Sequence, residues 1–226
     1  GVTIDGVLIK DGVATFQTAA GSPLVFEGAT ADAFETTFAI TDPTADRTIT
    51  FPDASFTVPS TGGKILQVLQ SVKTDTATTT VAAGTFADIA GTDQDAAGSV
   101  WCVKITPAAT SSKILVSWDC QIGSPIANNA VIFKLFRNAV EPFLADTDGS
   151  RVRASTSGTI SGAIDWVSGI SGQYLDSPSL TSEVTYKIQW SQPATASIYL
   201  NRAGTDTDNT AHTRGASTIT VVEIAA

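Results

Sequence analysis

The stretch VWCVKITPAATSSKILVSWDCQI, residues 100–122, decides how the chain is read. Two runs rich in Val, Ile and Trp flank PAATSS, which has the Pro, Ser and Thr of a turn. The pattern predicts a hairpin, with VWCVKIT (100–106) and KILVSWDCQI (113–122) as its arms. In the second arm, Ile114, Val116 and Trp118 fall on one face and Leu115, Ser117 and Asp119 on the other. A side-chain period of two with one apolar face belongs to a strand that is buried on one side.

The same signal recurs toward the C-terminus. VIFKLFR (131–137), AIDWVS (163–168), VTYKIQW (184–190), SIYLN (197–201) and STITVVEI (217–224) read as strands, as do segments near 71–75 and 84–89. Eight to ten strands at this spacing, with no long amphipathic helix, predict a β-sandwich of jelly-roll type over residues 64–226. At its start, KILQVLQSV (64–72) fits a helical face through Ile65, Leu66, Val68, Leu69 and Val72, or a first strand; strand is the preferred reading.

Residues 1–63 are built differently. They carry eight acidic and two basic residues, most of the net charge of −9, and six of the ten Phe but no Trp or Tyr. Short β pieces (VTID, VLIK, VATF, LVF, TFAI, RTITF, SFTV) alternate with turn signals such as Asp11-Gly12 and Asp42-Pro43. Pieces of three to five residues do not close a two-sided core alone. Phe26, Phe34, Phe38, Phe51 and Phe56 therefore need an outside surface, either the second region or copies of themselves around a shared axis. The expectation is one strand of an intertwined stalk shared by several chains; a partly ordered linker is the plainer alternative.

The totals exclude several functions. A pI of about 4.4 disfavours phosphate backbones and anionic membrane surfaces. No apolar run approaches the ~18 residues of a membrane-spanning helix. The first residues, GVTIDGVLIKDG, lack the basic start and apolar run of a signal peptide. The absence of any Met suggests a fragment or processed product, with part of the natural chain elsewhere.

His212 is the one histidine, and its setting NTAHTRGAS holds no Gly-x-Ser-x-Gly elbow, so a polar loop histidine is expected. Asp146-Thr-Asp148-Gly149 and Asp206-Thr-Asp208-Asn209 have the alternate spacing that hard cations use, but no closing Glu; turn chemistry is preferred and no metal or cofactor is expected. Cys102 and Cys120 are expected to be buried thiols. Trp101, Trp118, Trp166 and Trp190 are expected in the core. Tyr174, in SGISGQYLDSPS, is expected on a loop; local packing at a hairpin end is the preferred reading of its role, and stacking on a sugar ring or a protein surface the alternative. Tyr174, Asp176, Asp206, Asp208 and His212 are thus the candidate receptor contacts.

A resemblance joins these readings. LVFEGATADAFETTFAITDPTADRTITFPDASFTVPSTGG is similar to modules of bacteriophage tail fibres, especially of aquatic phages. ILQVLQSVKTDT, ITPAATSSKILV, FKLFRNAV, DGSRVRAS, YLDSPSLTSEVTYKIQW and YLNRAGTDTDNTAHTRGASTITVVEI also resemble phage fibre domains. The resemblance implies a homotrimeric virion protein, assembled with other virion proteins, whose distal β-sandwich contacts a bacterial surface glycan or protein. It brings no catalytic motif, so no enzyme is expected. A purely architectural head fibre or decoration protein, and a tailspike-like polysaccharide depolymerase, are the alternatives.

Overall fold

A computed structural model describes residues 64–91, 100–160 and 164–225, the backbone of 24–27 and 35–38, and single positions 45, 48 and 53. The chain divides into two compact units, Gly1–Val58 and Pro59–Ala226. In the first, β1 (Leu24–Glu27) pairs antiparallel with β2 (Glu35–Phe38), Leu24 opposite Phe38. Phe34, Phe51 and Phe56 lie outside the described residues, as do the side chains of Phe26 and Phe38.

The second unit is all-β, and no helix occurs among its described residues. Its strands are β3 (Ile65–Lys73), β4 (Ala77–Val81), β5 (Ala87–Asp88), β6 (Cys102–Ile105), β7 (Lys113–Gly123), β8 (Asn129–Arg137), β9 (Val140–Phe143), β10 (Thr156–Ile160), β11 (Ser168–Asp176), β12 (Val184–Ser191), β13 (Ala196–Leu200) and β14 (Ser217–Ile224). They make two antiparallel sheets of six strands each. In one, β7 lies between β11 and the pair β14 and β13, with β3 and β4 at the far edge. In the other, β8 and β12 are central; β9 and β10 flank β8, and β5 and β6 flank β12.

One hydrophobic cluster takes residues from both sheets, among them Trp118 and Ile122 of β7, Val221 of β14, Phe133 and Leu135 of β8, and Ile188 and Trp190 of β12. The alternation in β7 is as expected: Ile114, Val116 and Trp118 are buried while Asp119 is exposed. Cys102 and Cys120 are both buried and form no disulfide. Burial, and then the charge of Asp119, push the Cys120 thiol up, so it stays protonated. The preferred strand at 65–72 is β3.

The predicted hairpin is not formed. β6 pairs with β12 in one sheet, whereas β7 pairs with β14 and β11 in the other. Residues 106–112 cross between the sheets, and Glu223 of β14 holds them there. Its carboxylate accepts from the Ala108 N–H at 2.7 Å and from Gln67 Nε2 at 2.6 Å; Gln67 Nε2 also donates to Thr106 O at 2.9 Å. A hairpin turn and an inter-sheet crossing use the same turn residues, and only a distant strand distinguishes them.

Burial pushes the Glu223 carboxyl up, but the hydrogen bonds it accepts from Gln67 and Ala108 outweigh it and hold the group below its usual range. The unfolded chain then binds the proton more readily. The stabilisation is complete above the unfolded value of about 4.3 and is lost as pH falls through the lower folded value. In Glu223→Gln, the urea midpoint is expected to fall at pH 7 and to lose less than wild type between pH 5 and pH 3. Parallel pH profiles for the two proteins would remove Glu223 from the acid response.

Candidate binding cleft

The loop after β13 leaves the sheet at Asn201, whose φ of 61° lies in the left-handed region that Asn tolerates. Its side chain is fully used. Nδ2 donates to Lys73 O at 2.8 Å and Asp75 O at 2.9 Å, and Oδ1 accepts from Ser217 Oγ at 2.6 Å. Its own N–H donates to Gln121 O at 2.7 Å, and its carbonyl accepts from Gly215 N at 3.1 Å. One residue thereby fixes both ends of the loop to β7, β14 and the β3–β4 turn. Gly123, at the end of β7, gives the loop its seat: a Cβ there would lie 2.1 Å from the Arg202 carbonyl oxygen.

The loop encloses a cleft of about 360 Å³ lined by Asp206, Thr207, Asp208, Asn209, His212 and Arg214. Asp206 is bracketed by Arg214, at 2.7 Å and 2.9 Å to its two oxygens, and by Arg202 at 3.5 Å. The Arg202 guanidinium lies 3.6 Å from the Tyr199 ring centroid, which braces it from below. His212 Nδ1 is 2.9 Å from Thr207 Oγ1 and 3.2 Å from Thr207 O, and Nε2 is 3.5 Å from Asp165 Oδ1. The imidazole is therefore oriented from both ends. Asn209 caps its own turn, its Oδ1 accepting from Ala211 N at 2.9 Å and its carbonyl from His212 N at 3.0 Å.

Ile164 and Asp165 join this cluster. Thr205 N donates to Ile164 O at 3.0 Å, and Asp165 reaches His212. The next residue, Trp166, is 61% exposed, while Trp101, Trp118 and Trp190 are buried. Trp166 was expected in a core strand because AIDWVS alternates; instead, 164–167 is a turn and β11 starts at Ser168.

Three of the five expected receptor contacts, Asp206, Asp208 and His212, line this one cleft. The other two do not. Tyr174 is on strand β11, not on a loop; it is half-buried against the core and stacks on Phe143 with ring centroids 4.9 Å apart and planes at 8°. Asp176 is buried at the end of β11 and accepts from Arg137 NH1 at 3.0 Å on both oxygens and from Tyr186 Oη at 2.7 Å. Burial, and then the bond to Asp176, push the Tyr186 hydroxyl up, so it remains the donor. This trio ties β11 to β8 and β12 across the sheets and is structural. The glycines and serines of 168–172 suggested a loop, yet they serve packing: a Cβ on Gly172 would lie 2.1 Å from the Trp118 ring, directly opposite on β7.

Among the described residues, no group of three His, Cys, Asp or Glu side chains is placed to hold a metal ion, and no helix is long and apolar enough to cross a membrane. Asp148 pairs with Arg151 in a turn closed by Arg151 N to Asp148 O, with Gly149 at φ 57°. Asp148 and Asn209 thus serve turns, while Asp206 pairs with arginines. The chain matches no protein-family model, and no curated protein matches it significantly in sequence.

Proposed function

We propose that the protein is a structural and adhesive fibre component of a bacteriophage virion, a tail fibre or other external fibre. Residues 64–226 form a jelly-roll-like β-sandwich at its distal part, and residues 1–63 form the stalk of a homotrimer. The cleft at 206–214 is the surface that meets a bacterial glycan. The observation that supports this reading is the cleft itself: a polar, mixed-charge site on a loop anchored to the sheets through Asn201, with Asp165, the residue before the exposed Trp166, reaching its His212. Sugar rings are bound by such combinations, with a flat aromatic face and fixed donors and acceptors for hydroxyls.

Thr207, His212 and Asp165 superficially line up as nucleophile, base and acid. The Thr207 carbonyl, however, shares Nδ1 with the Thr207 hydroxyl, and Nε2 lies a long 3.5 Å from Asp165, so the three groups are not aligned as a tight relay. Both oxygens of Asp206 are engaged by Arg214, which occupies the positions a glycosidic oxygen would need. Both points favour binding over hydrolysis. Titrating purified bacterial surface polysaccharides onto the chain, with Trp166 fluorescence as the readout, tests the proposal.

A further inference from the structure

Three loops meet at Gly204. A Cβ on that residue would lie 2.1 Å from Ser124 O and 2.7 Å from Ile164 O, so the turn after β7, the turn before β11 and the start of the cleft loop are in backbone contact. Ile126 and Ile164, on the first two of these, are 41% and 38% exposed. Trp166 stands two residues past Ile164, and Asp165 between them reaches His212 in the cleft. The polar cleft therefore has exposed apolar residues on the turns beside it.

The charges of the cleft are unevenly engaged. Arg214 holds both oxygens of Asp206, and Arg202 lies between the same carboxylate and the Tyr199 ring. Both guanidinium groups thus have an anion already. With Asp165, Asp206 and Asp208 set against Arg202 and Arg214, the site has no surplus of positive charge whichever form His212 takes. The whole chain carries −9. Asp208, by contrast, is exposed and pairs with no cation among the described residues. A free carboxylate accepts hydrogens from neighbouring hydroxyls and repels an anion.

We infer that the sugar taken by this cleft is neutral and carries a methyl group, as a 6-deoxyhexose or an N-acetylhexosamine does. The inference rests on the cleft being the glycan surface. Asp208 accepts from the ring hydroxyls, Trp166 covers the apolar face of the ring, and Ile164 meets the methyl group. A uronic acid or phosphorylated sugar has to displace Asp206 from Arg214 and then sit beside Asp208 in the field of an acidic chain. A free amino sugar satisfies Asp208 but leaves the apolar turns uncovered.

The test titrates the full chain, by calorimetry, with oligosaccharides of defined structure: neutral hexoses, their 6-deoxy counterparts, N-acetylhexosamines, the matching free amines, and hexuronates. A methyl-bearing member is expected to bind about fourfold or more tightly than its parent without the methyl, the effect of burying one such group. Ile164→Ser keeps the backbone carbonyl that Thr205 uses and should abolish that preference while leaving the parent sugar bound as before. If this variant does not fold, the wild-type comparison decides alone. Tightest binding of a hexuronate or a free amine would overturn the inference. So would equal affinity for methyl-bearing sugars and their parents, or a methyl preference unchanged in Ile164→Ser. In each of these cases the cleft remains the glycan site if Arg214→Ala weakens the binding. Failure of every member to bind would overturn the glycan reading and this inference together.

Discussion

Asp176→Ala should cost the second unit about 3–5 kcal/mol, the range for removing one member of a buried ion pair. The substitution strips Arg137 of its carboxylate and leaves the Tyr186 hydroxyl buried without its acceptor. Neither group regains water easily, because Tyr186 is wholly enclosed and Arg137 is only 20% exposed. For a unit of this size the loss corresponds to a fall of roughly 10 °C in Tm. Tyr186→Phe removes only one hydrogen bond and should cost about 1 kcal/mol. Chemical denaturation of the two single variants and the double variant gives the coupling between them. A loss below 1 kcal/mol for Asp176→Ala would mean that the trio does not hold the sheets together, and Asp176 would return to consideration as a surface group.

Gly123→Ala is expected to cost about 3 kcal/mol, at the upper end for forcing extra atoms into packed structure. The added methyl meets backbone, the Arg202 carbonyl at 2.1 Å and Ala203 at 3.0 Å, and no rotamer change relieves it. The loop must lift from β7, taking Arg202 and the Asp206–Arg214 pair with it. Stability and cleft should therefore fail together. Gly149→Ala is the comparison: its Cβ meets nothing within 4 Å, so only the positive φ opposes it, a cost of about 1 kcal/mol. Equal losses in the two variants would show that steric seating of the loop is not what Gly123 provides.

Much of the second unit can be read from local pattern. β7, β8, β12, β13 and β14 alternate apolar and polar residues, and each is a strand near the expected bounds. Local pattern says nothing about which sheet a strand joins, so the crossing at 106–112 looked like a hairpin until Glu223 and Gln67 were seen to bind it. β11 was hidden for a different reason. Its Gly172 makes room for the Trp118 ring on the neighbouring strand, and that constraint is visible only in three dimensions. β9 and β10 were missed because Pro142 and Gly158 interrupt their apolar signal.

The cleft was partly legible. Two Asp, one Asn and one His within seven residues marked 206–212 as polar turn chemistry. The partners from elsewhere in the chain, Asp165, Arg202 and the anchor Asn201, carried no sequence signal of their own. Trp166 was misread because alternation over six residues outweighed its Asp and Ser neighbours. Asp176 was misassigned for the converse reason: a carboxylate beside Ser and Pro looks solvated, and its two partners lie on strands of the other sheet.

The most direct measurement of the central claim is quenching of tryptophan fluorescence by iodide during titration with a panel of purified bacterial surface polysaccharides. Trp101, Trp118 and Trp190 are buried, so the quenchable emission belongs to Trp166. The account predicts that a recognised polysaccharide shields this emission, and that Arg214→Ala weakens binding about tenfold or more, the range for losing a charged anchor. Polysaccharide that binds Arg214→Ala with the wild-type affinity, or leaves Trp166 fully quenchable, would contradict it.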